Sequence, residues 1–253
     1  MRFDILTIFP EMFESPLSHS ILNRARNEKL VEINCYDLRD FTQGSQRQVD
    51  DEPYGGGPGM VMKPEPFFDG VMTITGSDTV GEAKKKCRIV LLSPKGSRFS
   101  QVSAQMFSEE DWIVLLCGRY EGVDARVGEY LATDVISIGD YVLSGGEIPA
   151  MVVVDAVSRL IHGVVGDARS LESESFVGGS LEYPQYTRPR EFSGLAVPDI
   201  LLSGDHGRID DWRKKQSVAE TSKRRSDPVA NAPDETAQDN DGRGRQRATE
   251  KEN

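Results

Sequence analysis

The sequence predicts an α/β protein on an open parallel sheet, with a smaller helical unit behind it. Three observations predict this. The runs RIVLLSPKG (88–96) and WIVLLCGRYEG (112–122) are blocks of Val, Ile and Leu that each end in a glycine-bearing loop. That is the pattern of strands buried on both faces of a parallel sheet. The stretch SIGDYVLSGGE (137–147) is a polar turn held between an apolar strand-like segment and an apolar helix-like one. Loops at the carboxyl ends of neighbouring parallel strands share one edge of the sheet, so these three loops are expected to build one pocket.

Taken in order, RFDILTIF (2–9) alternates as a first strand closed by Pro10, and Ile21, Leu22, Ala25 and Lys29 follow one face of a helix over about 18–30. VEINCYDL (31–38) alternates as a second strand. The polar stretch 40–60 has no periodicity and gathers four glycines near its end; at that length it is functional or disordered rather than a simple connector. A short helix is expected near 66–72 and a soft, charged insert over 76–86. After the three strand-loop units, EIPAMVVVDAVSRLIHGV (147–164) reads as a helix with Pro149 in its first turn, where the missing N–H costs little. These elements make a first domain over 1–165. The Gly/Ser-rich segment 166–180 reads as a linker. A small second domain covers 181–226, with YPQYTRP extended and DHGRIDDWRKKQ helical, and 227–253 lacks the apolar groups to fold.

Charge and composition narrow the function. A net charge of -11 argues against broad, non-specific nucleic-acid binding, but the low mean hydropathy of -0.44 owes much to the polar tail, and a local basic site remains open. Arg213, Lys214, Lys215, Lys223, Arg224 and Arg225 lie close together, against Asp210, Asp211 and Glu220; this is a solvated helix face or an RNA contact. No apolar run approaches the roughly 18 residues needed to span a bilayer, and a cytoplasmic protein is expected. Cys35, Cys87 and Cys117 are far apart in apolar strands, which predicts buried, inert thiols rather than disulfides or a zinc site. Neither GxxxxGK[ST] nor a helix-opening GxGxxG is present. A nucleoside ligand without a phosphate, such as S-adenosylmethionine, would not need one, because the backbone of close-packed glycine loops can read adenine and ribose.

The blocks VDDEPYGGGPGM (49–60), LLSPKG (91–96), CGRYEG (117–122), SIGDYVLSGGE (137–147), LEYPQYTRP (181–189) and VPDILLSGDHGRIDDWRKKQS (197–217) resemble, in order, the bacterial tRNA (guanine-N1)-methyltransferase TrmD family. The likeness spans roughly 1–225. It implies the SPOUT fold, in which the parallel sheet ends in a C-terminal trefoil knot that carries the cofactor loops. It also implies a homodimer whose active sites lie at the subunit interface, and S-adenosylmethionine as methyl donor. The substrate it implies is tRNA with G at position 37, just 3′ of the anticodon. Magnesium is associated with the family's activity, though no ligand cluster in the sequence marks a site.

Carried onto this sequence, the resemblance gives Ser93, Pro94 and Gly96 of the first loop supporting roles at the cofactor. Gly118, Glu121 and Gly122 come from the second loop, and Ile138, Gly139, Asp140, Tyr141, Val142, Leu143, Gly145 and Gly146 from the third. Methylation of guanine N1 needs the lone pair that its proton occupies, and O6 gains negative charge as that proton leaves. A base and a positioned cation are the two demands. The family's base is an aspartate where this chain has Glu174, within SLESESF, with Glu172 as a second candidate. The cation falls on Arg159. From sequence alone Arg159 could equally form an i,i+4 surface pair with Asp155. RNA contacts fall on Asp50, Arg188, His206, Arg213, Lys214 and Lys215. Two rivals stay open: a catalytically impaired tRNA-binding homologue, motivated by the aspartate-to-glutamate change, and a SPOUT enzyme acting on a ribose 2′-oxygen.

Overall fold

Period-two alternation decides how the strands pack. In the computed structural model, which describes residues 1–43, 45–166, 174–176 and 179–224, strand β1 (Arg2–Thr7) places Phe3 and Ile5 in one apolar cluster and Leu6 in another. Strand β2 (Glu32–Asp37) follows helix α1 (Ser20–Asn27). The short strands β3 (Asp50–Asp51) and β4 (Val61–Met62) pair antiparallel, and helices α2 (Pro64–Thr75) and α3 (Val80–Lys86) come next. Strand β5 (Arg88–Arg98), helix α4 (Gln101–Ser108), strand β6 (Trp112–Cys117), strand β7 (Asp134–Ser137) and helix α5 (Glu147–Ser158) complete this part. Val90, Leu92, Ile113 and Leu115 pack with α1, α4 and α5, whereas Ile89, Leu91, Val114 and Leu116 pack with α2 and α3. The five-stranded sheet is parallel throughout, in the order β2-β1-β6-β5-β7, so the three strands expected to share an edge are neighbours.

The amino end of the sheet is pinned by charge. Arg88 donates from Nε to Asp134 at 2.8 Å and from Nη1 to Glu110 at 2.9 Å. Burial works against the charge of Asp134, but hydrogen bonds from Arg88 and Thr133 hold its carboxyl below the usual range. Asp4, fully buried on β1, accepts from Trp112 Nε1 at 2.7 Å and Asn34 Nδ2 at 2.9 Å.

Several expectations shift. β1 stops at Thr7 rather than Phe9, because the Phe9 N–H turns to the Thr7 hydroxyl at 3.0 Å. The insert 76–86 contains α3, and the missed signal is its N-cap: Thr79 accepts from the Glu82 N–H, and the Glu82 carboxylate accepts from the N–H of Asp78, one residue before the cap. Lys86 then caps α2 by donating to the Thr75 and Gly76 carbonyls. The stretch 40–60 carries β3 and buries Val49. α5 ends at Ser158 instead of Val164, where the bonds tighten to Leu160 N–H on Val157 and Ile161 N–H on Ser158. The thiols are buried or half-buried and unpaired; burial pushes Cys35 and Cys87 up to about 11 and also raises Cys117.

The chain divides into two units between residues 177 and 178. In the second, helix α6 (His206–Arg224) follows a hairpin of β8 (Glu191–Phe192) and β9 (Leu195–Ala196). The extended segment is tied to α6 where Thr221 Oγ1 accepts from the Leu181 N–H at 2.8 Å and the Ser217 hydroxyl donates to the Leu181 carbonyl at 2.6 Å. Glu172, most of the expected linker and the tail 227–253 lie outside the described residues. Among the described residues, no helix is long and apolar enough to cross a membrane.

Candidate active site

At the carboxyl ends of β5, β6 and β7 lies a cavity of about 540 Å³, within the range of small-molecule sites. Each wall follows from a local backbone event. Ile136 of β7 pairs with both Leu92 and Ser97 of β5, so the residues between them leave the ladder and bulge out; Ser93, Pro94 and Lys95 of this excursion line the cavity. Gly96 lies outside the lining. A Cβ there would sit 2.4 Å from the Ile136 nitrogen, so glycine is needed for β5 to rejoin β7 rather than to meet a ligand.

The second wall is Gly118, Arg119, Tyr120, Glu121 and Gly122 after β6, and the third is Ile138, Gly139, Tyr141, Val142, Leu143, Ser144, Gly145 and Gly146 after β7. Asp140 is the member of the third loop outside the lining. The loops are stitched together by the Gly146 N–H, which donates to the Gly118 carbonyl at 2.9 Å. A Cβ on Gly146 would lie 2.7 Å from the Cys117 Cα, which accounts for that glycine. The glycine-rich stretch 55–59 ends beside the cavity, where Gly59 packs on the Glu121 side chain and the Glu121 N–H donates to the Met60 carbonyl at 3.0 Å. Lys95, Arg119, Tyr120 and Ser144 are lining residues that sequence reasoning did not single out, although each sits inside a quoted block.

Arg159 follows α5 directly, and its guanidinium forms an ion pair with Glu174, not with Asp155. The surface-pair alternative is therefore set aside. Both side chains are half-buried, 34% and 27% exposed, leaving each accessible to a base.

In the second unit, Lys214 and Lys215 of α6, His206 at its start and Arg188 before the hairpin are exposed. Arg213 is largely occupied: its guanidinium stacks 5.0 Å over Tyr183 and contacts Asp210 at 3.4 Å. Asp50 belongs to the first unit, paired with Met62.

The model of the tRNA (Guanine-1)-methyltransferase TrmD family matches residues 1–231. The chain belongs to this family. It is 56% identical over 227 residues to the tRNA (guanine-N(1)-)-methyltransferase of Dictyoglomus turgidum, covering 90% of this chain and 89% of that protein. The enzyme of the same name from Pelotomaculum thermopropionicum is 53% identical over 232 residues, covering 92% and 91%. That of Geobacillus kaustophilus is 51% identical over 233 residues, covering 92% and 93%. Among the described residues no three His, Cys, Asp or Glu side chains come together as metal ligands, so no magnesium site is assigned.

Proposed function

We propose that this chain is a tRNA (guanine-N1)-methyltransferase that uses S-adenosylmethionine and acts on G37. The observation that carries the reading is the three-loop cavity at adjacent strand ends in a member of this family. Its volume suits a nucleoside, and its walls offer backbone groups of Gly118, Gly122, Ile138 and Gly139 instead of a phosphate cradle. When bound, the cofactor supplies an electrophilic methyl group on a sulfonium. The protein's own groups do the rest. Ile138, Val142 and Leu143 supply apolar surface, and the Glu121 carboxylate favours positive charge.

N1 and O6 of guanine are neighbours on one edge of the base. A carboxylate and a guanidinium already in contact put a proton acceptor and a cation side by side. Glu174 removes the N1 proton, and Arg159 stabilises the charge that grows on O6.

Further parts of the reading follow from the family. The catalytic domain is knotted and covers 1–165, a linker of 166–180 follows, and 181–226 binds tRNA, with exposed Arg188, His206, Lys214 and Lys215 contacting the RNA and Arg213 holding Tyr183 in place. The enzyme is a cytoplasmic homodimer that completes each site from both subunits. What supports the dimer is apolar exposure on the first unit: Val142 at 85%, with Ile148 and Val152 one turn apart on α5.

The test is methyl transfer from labelled S-adenosylmethionine to a tRNA transcript bearing G37. Incorporation that disappears when G37 is changed is the expected result. Incorporation that survives the change points to ribose or another base, and cofactor binding without turnover points to a tRNA-binding homologue.

A further inference from the structure

Beneath the cavity, three elements are joined by a closed ring of polar contacts that the proposed chemistry does not use. Glu147, the first residue of α5, is 1% exposed. Its Oε1 accepts from the Thr7 hydroxyl at 2.7 Å, and its Oε2 accepts from Arg119 Nε at 2.9 Å. Thr7 in turn accepts from the Phe9 N–H, and the Phe9 ring lies 4.7 Å under the Arg119 guanidinium. The ring thus closes through the end of β1, the loop after β6 and the start of α5.

This ring is the floor on which two of the cofactor loops rest. Arg119 forms a backbone bridge with Gly145. A Cβ added at Gly145 would fall 2.2 Å from Arg119 Nε and 2.5 Å from Glu147 Oε2, so the third loop lies directly against the ion pair. The Arg119 N–H also meets Met62 Sδ at 3.0 Å, which adds the strand next to the glycine-rich stretch.

We propose that Glu147, through Arg119 and Thr7, is a positioning residue for the methyl donor: it fixes the spacing of the second and third loops and so sets cofactor affinity. The proposal rests on reading the cavity as the S-adenosylmethionine site. A buried carboxylate held by two donors cannot relax without leaving a donor unpaired, which makes the ring rigid rather than adaptable.

The test uses three variants of the full-length protein. Glu147→Gln leaves one acceptor oxygen for two donors. Thr7→Val removes the hydrogen bond to Glu147 and the one from the Phe9 N–H with little change of shape. Arg88→Gln breaks a comparable ion-pair cluster at the opposite end of the sheet and serves as a stability control. Calorimetry with S-adenosylhomocysteine, the demethylated product, is paired with steady-state kinetics. Glu147→Gln is expected to weaken product binding and raise KM for S-adenosylmethionine by about tenfold or more, with a much smaller change in kcat. Thr7→Val follows with about threefold, and Arg88→Gln lowers Tm without moving KM. Should Glu147→Gln not fold, Thr7→Val decides alone. Wild-type affinity in the folded variants overturns the proposal, as does a fall in kcat at constant KM, or an affinity loss in Arg88→Gln that matches its loss of stability. Wild-type protein that binds no product at all refutes the underlying cofactor reading instead.

Discussion

The two units present opposite kinds of surface. The cavity of the first is made of strand ends and close-packed glycines, where main-chain atoms meet at van der Waals limits and a buried ion pair lies underneath. The second unit buries Ile209 alone among the large apolar side chains of α6 and presents its charged groups to solvent. Residues 181–224 hold eight Lys and Arg against seven Asp and Glu, so its surface is nearly neutral while most of the acidity lies before it. A site made of backbone fails abruptly when one atom is added. A site made of exposed charges fails by degrees.

Substitutions can test that contrast. Between the two extremes stand the half-buried Glu174 and Arg159, where the largest effects are expected. Glu174→Gln should lower single-turnover methyl transfer by roughly 10³-fold with cofactor affinity unchanged in calorimetry; an unchanged rate removes Glu174 from the chemistry. Arg159→Ala should cost about 3 kcal/mol in the barrier, roughly 10²-fold in kcat, whereas an exposed ion pair alone is worth about 1 kcal/mol or less in stability. Gly96→Ala should destabilise by about 1–3 kcal/mol in urea titration, because its Cβ has only backbone to push against. Wild-type stability there would break the claim that the cavity wall is rigid. The double change Lys214→Ala and Lys215→Ala should raise KM for tRNA only several-fold and reduce the salt dependence of binding by about two phosphate equivalents. An abrupt loss would mean that these lysines act as a geometric lock.

The same contrast explains what was legible in the chain. Strands and loops around the cavity could be read because burial on both faces leaves a run such as IVLL with few alternatives, and a glycine after it marks where the backbone must turn. The resemblance gives Gly96 a supporting role at the cofactor, whereas its nearest neighbours are backbone atoms of β7; proximity of backbones distant in sequence carries no local pattern. Arg159 keeps Asp155 at i,i+4 spacing on the last turn of α5, yet its guanidinium pairs with Glu174, a partner 15 residues away that no local pattern names. α3 was hidden by its run of lysines, although Thr79 and Glu82 hold the capping signal. The ring around Glu147 joins residues 7, 119 and 147, separations that no periodicity can reveal.

The excursion of β5 between Leu92 and Ser97 has an evolutionary corollary. Both its ends are clamped to a single residue, Ile136, so the four residues between them must leave the ladder and return to it within one step of the partner strand. Homologues should therefore vary freely in the length of the turn before α3 while keeping the count across 93–96 constant, and protein engineers seeking a wider donor specificity will have to change what these positions carry, not how many there are.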